Sequence, residues 1–427
     1  MKVALIYLPH PYLNQPDAQA PLGLIYLAQV LMDNNIQVEL CNFSSYFTYE
    51  ALQELPDADL YGITVTSFEI PQANRFAHLI KEKYFKRKVI LGGPGTISEE
   101  FVDWNVIDSI CVGDGEKAIL EIVKDFATGN LKNKYIGESV SDLDEIAFPA
   151  RELLKSKQGG NIFAYNENYK DGGSTIILST RGCPFNCSFC TAPFLRTINK
   201  KVRFRSAQNV ADEIKQVVDK YNIRQFRFSD DMFTASRKRV FELCEKLKDM
   251  DIVWRISCRV KPFDEEMAQV MFDAGCKEMS FGIESFDDNV LKYLNKDATA
   301  EDNVKALEIC AKIGIKTRIL FMIRTPGQTK DTVRINIEYL EKVPFDIVAC
   351  TSFVPIPGCD IWNNPDKYNV EILDKNLDNY NFYFFSSHGE NELKDIIKIK
   401  GRSLEELREE TQRFRDYIKS TGKLNEG

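Results

Sequence analysis

Histidine is nearly missing from this chain, with three among 427 residues: His10, His78 and His388. Chemistry that leans on a strong imidazole base has little to draw on. Long apolar runs are missing too. None approaches the roughly 20 residues that span a bilayer, and the opening run Met1–Leu8 is cut by Pro9 and Pro11 with no small-residue cleavage site behind it. It reads as a first strand, not a signal peptide, and the expectation is a cytoplasmic protein. There is no excess of positive charge either. A net charge of −8 and a pI near 5.3 argue against a broad nucleic-acid face and leave only Lys200-Lys201-Val202-Arg203-Phe204-Arg205 as a local basic patch. A disulfide framework is also absent. Of eleven cysteines, Cys41, Cys111, Cys244, Cys258, Cys276, Cys310, Cys350 and Cys359 are scattered singly, mostly in apolar runs, as buried thiols of a reducing compartment would be.

The remaining three cysteines stand together in Arg181-Gly182-Cys183-Pro184-Phe185-Asn186-Cys187-Ser188-Phe189-Cys190. Their C-x3-C-x2-C spacing offers a metal three thiolates and no fourth. A closed zinc site takes four protein ligands and an ordinary iron–sulfur cubane takes four cysteines. No His or Cys stands between Cys111 and Cys183 or between Cys190 and Cys244 to complete a set. One coordination position is therefore left for another molecule. A thioredoxin-like pair at Cys187 and Cys190 would need no third cysteine and would open a helix in another context.

Strand-like and helical patterns alternate along the first half: Val3–Leu8, Leu22–Asn34, Val38–Phe43, Leu60–Thr66, Gln72–Tyr84, Val89–Gly92, Ile110–Val112, Glu116–Phe126. This rhythm predicts an α/β domain over 1–136, a Rossmann-like doubly wound parallel sheet of five strands. Such sheets bind ligands at the carboxyl ends of their strands. Those ends are Pro9–Pro21, Thr64-Val65-Thr66-Ser67, Gly92-Gly93-Pro94-Gly95 and Gly113-Asp114-Gly115-Glu116. Glycines there either admit a ligand to the backbone or merely turn the chain. After a linker of mixed charge, 137–173, the rhythm restarts at Ser174–Thr180 and continues through Gln225–Ser229, Ile252–Ser257, Glu278–Gly282, Thr317–Ile323 and Ile347–Phe353. Six strands over 174–365 suggest a partial (β/α)6 barrel with the cysteine loop just past a strand's carboxyl end, where parallel barrels place chemistry. A small α-rich extension follows at 366–427. Its Tyr380–Phe385 run either walls the barrel's open side or packs a core, and Leu404–Ile418 reads as a charged amphipathic helix.

The cysteine loop, with Phe189 before its last cysteine, resembles the cluster loop of the radical S-adenosylmethionine (SAM) superfamily. The resemblance implies a 4Fe-4S cluster on Cys183, Cys187 and Cys190 whose open iron chelates the amino and carboxylate groups of SAM. It also implies SAM contacts from Phe189, Asp230, Arg259, Glu284 and Gln328. Asp230 stands where many members carry Gly-Gly-Glu; adjacent strand residues face opposite ways, so Asp230 and Asp231 would not both serve. Arg259 suits the SAM carboxylate because a guanidinium forms bidentate pairs, with Arg255 as the alternative. Glu284, in a segment similar to the superfamily's Gly-x-Glu-Ser, meets the SAM ribose or ammonium, unless it is a solvent-facing residue favourable at a helix N-terminus. Gln328 lies in Phe321–Thr329, which looks like the segment that brackets adenine, and Ser352–Cys359 resembles the barrel's closing segment.

Upstream, Pro21–Ala28 and the glycine-rich strand ends resemble the cobalamin-binding domain fused to many such enzymes. The implied cobalamin contacts are Thr66, Ser67, Gly92, Gly93, Gly95, Gly113, Gly115 and Glu116. The Asp-x-His-x-x-Gly motif that supplies a histidine to cobalt is absent, and His10 alone is placed to contradict an unligated lower face. The implied activity is a cobalamin-dependent methyltransferase acting through a 5′-deoxyadenosyl radical on an unactivated carbon of a small molecule, served by a flavodoxin- or ferredoxin-type electron donor. A radical rearrangement, cyclisation or oxidation is the alternative, and a non-catalytic cobalamin or SAM sensor is a third reading.

Overall fold

The computed structural model describes residues 1–8, 20–155, 173–199, 201–382 and 394–424. The chain divides into two compact units, Met1–Ile176 with Ile198–Lys200, and Ile177–Thr197 with Lys201–Gly427.

The first unit runs β1 (Lys2–Tyr7), α1 (Leu22–Asp33), β2 (Gln37–Asn42), α2 (Thr48–Glu54), β3 (Leu60–Thr64), α3 (Ile70–Lys83), β4 (Lys88–Gly92), β5 (Ser109–Gly113), α4 (Gly115–Ala127) and β6 (Lys134–Gly137). Successive strand residues point to opposite faces, and the apolar run of β1 serves two cores at once. Ala4 and Ile6 pack with Ile63, Leu91 and Phe76, while Val3 and Leu5 pack with Leu24, Leu60, Ile90 and Ile122. A strand buried on both faces needs helices on both faces. The parallel sheet supplies them through its order, β2-β1-β3-β4-β5-β6. The chain steps outward from β1 to β2, then returns past β1 to β3, and right-handed crossovers in opposite directions place helices on opposite sides.

β6 is a sixth strand that the sequence pattern did not reveal. Its four residues alternate exposed and buried, and its last, Gly137, is the first residue of the linker that the sequence pattern predicts. That glycine is required by contact, since a Cβ there would stand 1.8 Å from the Asp114 carbonyl oxygen. The stretch beyond it also contributes to a core, with Val140, Leu143, Ala150 and Leu154 all buried.

From the boundary between the units onward the chain runs β7 (Ser174–Ile177), β8 (Thr180–Arg181), α5 (Ala192–Asn199), β9 (Arg203–Phe204), α6 (Ala207–Tyr221), β10 (Gln225–Phe228), α7 (Arg237–Leu247), β11 (Val253–Cys258), α8 (Glu265–Asp273), β12 (Cys276–Glu284), α9 (Asp288–Tyr293), α10 (Ala300–Ile313), β13 (Lys316–Ile323), α11 (Thr332–Leu340) and β14 (Ile347–Ser352). The six-stranded sheet of this part has the order β7-β10-β11-β12-β13-β14, the same as the order along the chain. Crossovers of one hand that always step the same way place every helix on one face. The opposite face is left free to curl inward, which is the geometry of a partial barrel.

Side-chain burial follows this division. In β11 Trp254, Ile256 and Cys258 are buried while Val253, Arg255 and Ser257 are partly exposed, and β13 and β14 repeat the alternation. The buried set packs outward: the Trp254 indole N–H donates to the Ala274 carbonyl just past α8, and Phe321 stacks on Phe414. The partly exposed set lines the concave face.

After β14 come α12 (Asp360–Asn363), the antiparallel pair β15 (Val370–Ile372) and β16 (Ile397–Ile399), and α13 (Leu404–Ser420). A capping box between Ser403 and Glu406 starts α13. Leu407, Thr411, Phe414 and Ile418 form its buried stripe. Tyr380 is fully buried with its hydroxyl on the Asp374 carbonyl, so it packs a core; residues 383–385 of that aromatic run lie outside the described residues.

Candidate functional site

The three cysteines occupy the loop between β8 and α5. Gly182, with φ +92°, turns the chain into it, and the Gly182 N–H donates to Asp231 at 2.9 Å. Arg196 of α5 reaches back over the loop, donating to the carbonyls of Cys183 at 2.6 Å and Phe185 at 3.1 Å and to the Asn186 side chain. From the other side the Ser188 N–H donates to the Leu294 carbonyl at 3.0 Å, the Ser188 carbonyl accepts from Ile361 at 3.1 Å, and the Asn295 amide donates to the Asn186 carbonyl at 2.7 Å. A loop whose backbone groups are held this way keeps its side chains pre-positioned. Sequence reasoning missed Arg196; an arginine in the helix after a cysteine loop carries no distinguishing signal.

Burial pushes the Cys190 thiol up to about 11 and raises Cys183, with Cys187 close enough to add to both. Unligated, these are protonated thiols, and a thiophilic metal that displaces their protons would gain them as ligands. Among the described residues no three His, Cys, Asp or Glu side chains converge on one point that a single ion could occupy.

Arg259, just past β11, joins this loop. Its Nη1 donates to the Cys187 sulfur at 2.8 Å, and its guanidinium lies 4.0 Å from the centre of the Phe185 ring. Nε and Nη2 are buried and have no hydrogen-bond partner among the described residues. A buried donor left unpaired costs about 1–3 kcal/mol, so two on one side chain beside a metal-binding loop mark a place built for an acceptor. A carboxylate, which takes two parallel N–H bonds, is the matching shape. Arg255 lies deeper and is committed to Glu278 at 3.3 Å.

The other expected contacts fare differently. Asp230 is buried, and its carboxylate accepts from the Ser179 N–H at 2.6 Å, the Thr180 N–H at 3.0 Å and the Ser179 hydroxyl. It ties the strand end after β7 to the end of β10, a tether with its oxygens already engaged. Asp230→Asn is expected to turn an amide against those donors and lower stability by about 2–4 kcal/mol, read as a lower urea midpoint at unchanged slope. Glu284 is not solvent-facing. It is buried at φ +62° and pairs with Lys296 at 2.7 Å, whose ammonium lies 5.7 Å from the Phe189 ring centre. Lys296 was not foreseen.

Gln328 serves the protein itself. Its carbonyl accepts from the Arg324 N–H at 2.7 Å and its amide donates to Glu410 of α13 at 2.9 Å, so the side chain fastens the turn after β13 to the terminal helix. The basic patch is not a face either. Arg203 and Arg205 are buried, and Arg205 forms an ion pair with Glu213.

In the first unit the eight expected cofactor contacts gather at one edge, the carboxyl ends of β3, β4 and β5. Their glycines divide in function. A Cβ at Gly95 would meet the Thr66 carbonyl carbon at 2.3 Å, so the backbone itself demands that glycine, whereas one at Gly115 would meet only the tip of the Leu27 side chain at 2.9 Å. Gly93 and Gly113 have φ of +90° and +98°, a turn requirement. Around Gly92 nothing among the described residues lies within 4 Å of a built Cβ, so there the backbone is open to a ligand. Ser67 shares a hydrogen bond with Ser98 at 2.9 Å, the Thr66 hydroxyl oxygen is buried without a partner among the described residues, and Glu116 is buried in the first turn of α4. An open backbone flanked by a buried unpaired hydroxyl fits a large polar-edged ligand. His10 lies outside the described residues.

Residues 177–340 match the radical SAM superfamily and residues 17–123 match the B12 binding domain. The chain is a radical SAM protein with a B12-binding domain ahead of its barrel. It is 28% identical over 357 residues to an uncharacterized methyltransferase of Pyrococcus horikoshii, covering 80% of this chain and 77% of that one. It is 28% identical over 350 residues to the anaerobic magnesium-protoporphyrin IX monomethyl ester cyclase of Rubrivivax gelatinosus, covering 76% of this chain and 61% of the cyclase. Among solved structures it shares the fold of the radical SAM methyltransferase TsrM from Kitasatospora setae, solved with cobalamin and a [4Fe-4S] cluster bound, at a TM-score of 0.66 and 19% identity over 84% of this chain and 76% of that one. The cofactors of a radical SAM protein with this domain pair are a 4Fe-4S cluster, SAM and cobalamin. No helix among the described residues is long and apolar enough to cross a membrane.

Proposed function

We propose that this radical SAM protein is a cobalamin-dependent methyltransferase acting on an unactivated carbon of a small molecule. The observation that carries the reading is the Arg259 guanidinium, with two buried N–H groups unpartnered and a third on the Cys187 sulfur, in a chain that also bears a B12-binding domain. The bound cofactors supply an adenosyl radical to open a C–H bond and a methyl group to close it.

The residues of the chain bind and orient. Cys183, Cys187 and Cys190 hold the cluster, and Arg196 fixes the loop so that the thiols keep their spacing. Arg259 takes the SAM carboxylate. Glu284, held by Lys296, faces the SAM ribose or ammonium, and Phe189 supplies an apolar wall. Asp230 and Gln328 act at one remove, by fixing the strand ends from which the contacts project. In the first unit the open backbone at Gly92 and the polar groups of Thr66, Ser67 and Glu116 line the cobalamin edge, with Gly93, Gly95, Gly113 and Gly115 shaping it. A flavodoxin- or ferredoxin-type donor provides the electron.

The methyl-transfer outcome is supported by two methyltransferases among the three similar proteins above, and the cyclase is the reason to keep a radical cyclisation as the second reading. Incubation of the reconstituted protein with reductant, SAM and candidate substrates separates them. S-adenosylhomocysteine together with 5′-deoxyadenosine supports methyl transfer. Formation of 5′-deoxyadenosine alone supports the second reading, and neither product removes both.

A further inference from the structure

Lys296 is buried while its neighbours on either side, Asn295 and Asp297, are exposed. Lysine is almost never fully buried without a partner. Asn295 and Asp297 both have left-handed backbone, at φ +50° and +53°, so the chain after α9 turns sharply on each side of the lysine. Opposite it stands Glu284 at φ +62°, a strained conformation for a long side chain that persists only where its surroundings impose it. Two buried asparagines do so here. The Asn303 amide donates to the carbonyls of Ile283 at 3.3 Å and Ser285 at 3.0 Å, and the Asn336 side-chain oxygen accepts from the Phe286 N–H at 2.8 Å. Gly282 leaves the room, since a Cβ there would stand 2.7 Å from both Glu284 Oε1 and Lys296 Nζ. What all this secures is one ion pair, Lys296 Nζ to Glu284 Oε1 at 2.7 Å.

The pair is incomplete by hydrogen-bond count. An ammonium carries three N–H donors and a carboxylate two acceptor oxygens. Lys296 gives one donor to Glu284 and sets its charge 5.7 Å from the Phe189 ring centre. Among the described residues neither its other two N–H groups nor the second Glu284 oxygen has a hydrogen-bond partner. Unmet donors beside an unmet acceptor match a group that both gives and takes a hydrogen bond, and a hydroxyl does both. A second ammonium matches poorly, because it would bring a like charge against Lys296. We infer that Lys296 is a SAM-binding residue and that, with Glu284, it grips the ribose hydroxyls, Lys296 donating and Glu284 accepting. The inference rests on the SAM reading of this site and narrows it: of the ribose and the ammonium, Glu284 takes the ribose.

The test is equilibrium dialysis of the cluster-loaded, cobalamin-loaded protein against SAM, its 2′-deoxy and 3′-deoxy analogues, and the analogue lacking the amino group. Wild type is expected to prefer SAM to at least one deoxy analogue by about tenfold or more, since a site built around a hydroxyl is left unpaired without it. Lys296→Met, and the double variant Glu284→Gln with Lys296→Met that leaves no stranded carboxylate, are the deciding proteins. Both are expected to bind SAM about tenfold or more weakly and to lose most of the preference over the deoxy analogue, with Lys296→Arg recovering part of it. A merely structural Lys296 would weaken SAM and deoxy analogue by the same factor and keep the preference. Iron content and circular dichroism establish that each variant is folded, and Lys305→Gln on the exposed side of α10 is the control expected to bind like wild type. A preference retained in both deciding variants, or lost for the amino group instead of the hydroxyl, overturns the inference, as does a wild type indifferent to the deoxy analogues. Release of 5′-deoxyadenosine from SAM is measured in parallel: a wild type that binds SAM but releases none sinks the radical methylation reading, while the dialysis still decides Lys296.

Discussion

A Cys190→Ala variant reconstituted with iron and sulfide is expected to lose the visible absorption of the cluster and to release 5′-deoxyadenosine from SAM at less than ~1/1000 of the wild-type rate. Cys183→Ala and Cys187→Ala should behave alike, because the three thiols act as one unit and removing any member removes the function of all. The loop supplies no substitute: no other His, Cys, Asp or Glu among the described residues joins a group of three around a metal position. Cys310→Ala is the informative contrast. That thiol is fully buried in α10, so its loss should cost about 1 kcal/mol of stability through a small cavity and leave iron content at the wild-type level. A Cys190 variant that keeps both the spectrum and the product would remove this loop from the reaction.

Arg259→Lys is expected to raise the dissociation constant for SAM by about 10- to 100-fold while changing iron content little. Lysine keeps the positive charge beside Cys187 but offers a point charge where a fork stood, and it cannot fill both vacant N–H positions of the guanidinium. Arg259→Ala should cost more, since it also removes the cation stacked on Phe185 and the donor to the Cys187 sulfur. The two variants separate roles. Equal SAM affinity in Arg259→Lys and wild type, measured by equilibrium dialysis with the cluster in place, would reduce Arg259 to a support of the cysteine loop.

The parts of the architecture written in local pattern were legible from residues alone. The six barrel strands fall within a few residues of their apolar runs, since strands buried on their outer face must carry apolar side chains at every second position, and Leu404 of α13 is announced by Ser403 and Glu406. β6 escaped because four residues with Lys134 and Ile136 exposed carry too little apolar signal; its place in the sheet comes from pairing with β5, a tertiary fact. The site divides the same way. Residue type singled out the cysteines and Arg259, whose chemistry is intrinsic. It could not show that Gln328 is bonded to Glu410, 82 positions away, or that the Asp230 oxygens are engaged by a strand end 51 positions upstream. Lys296 was silent for the converse reason: an exposed lysine and a buried counter-ion look the same in a sequence, and only the bulge between Gly282 and Glu284 in β12 and the turned backbone at Glu284 bring the two together.

The alternation in β11, β13 and β14 separates two kinds of change that are usually entangled. Positions such as Ser257, Leu320, Met322, Ala349 and Thr351 are partly exposed, while each intervening neighbour is buried. Selection, natural or in the laboratory, can therefore rewrite the first set for a new substrate while the second keeps its packing, and a library confined to those five positions should return mostly folded, cluster-binding proteins of altered preference.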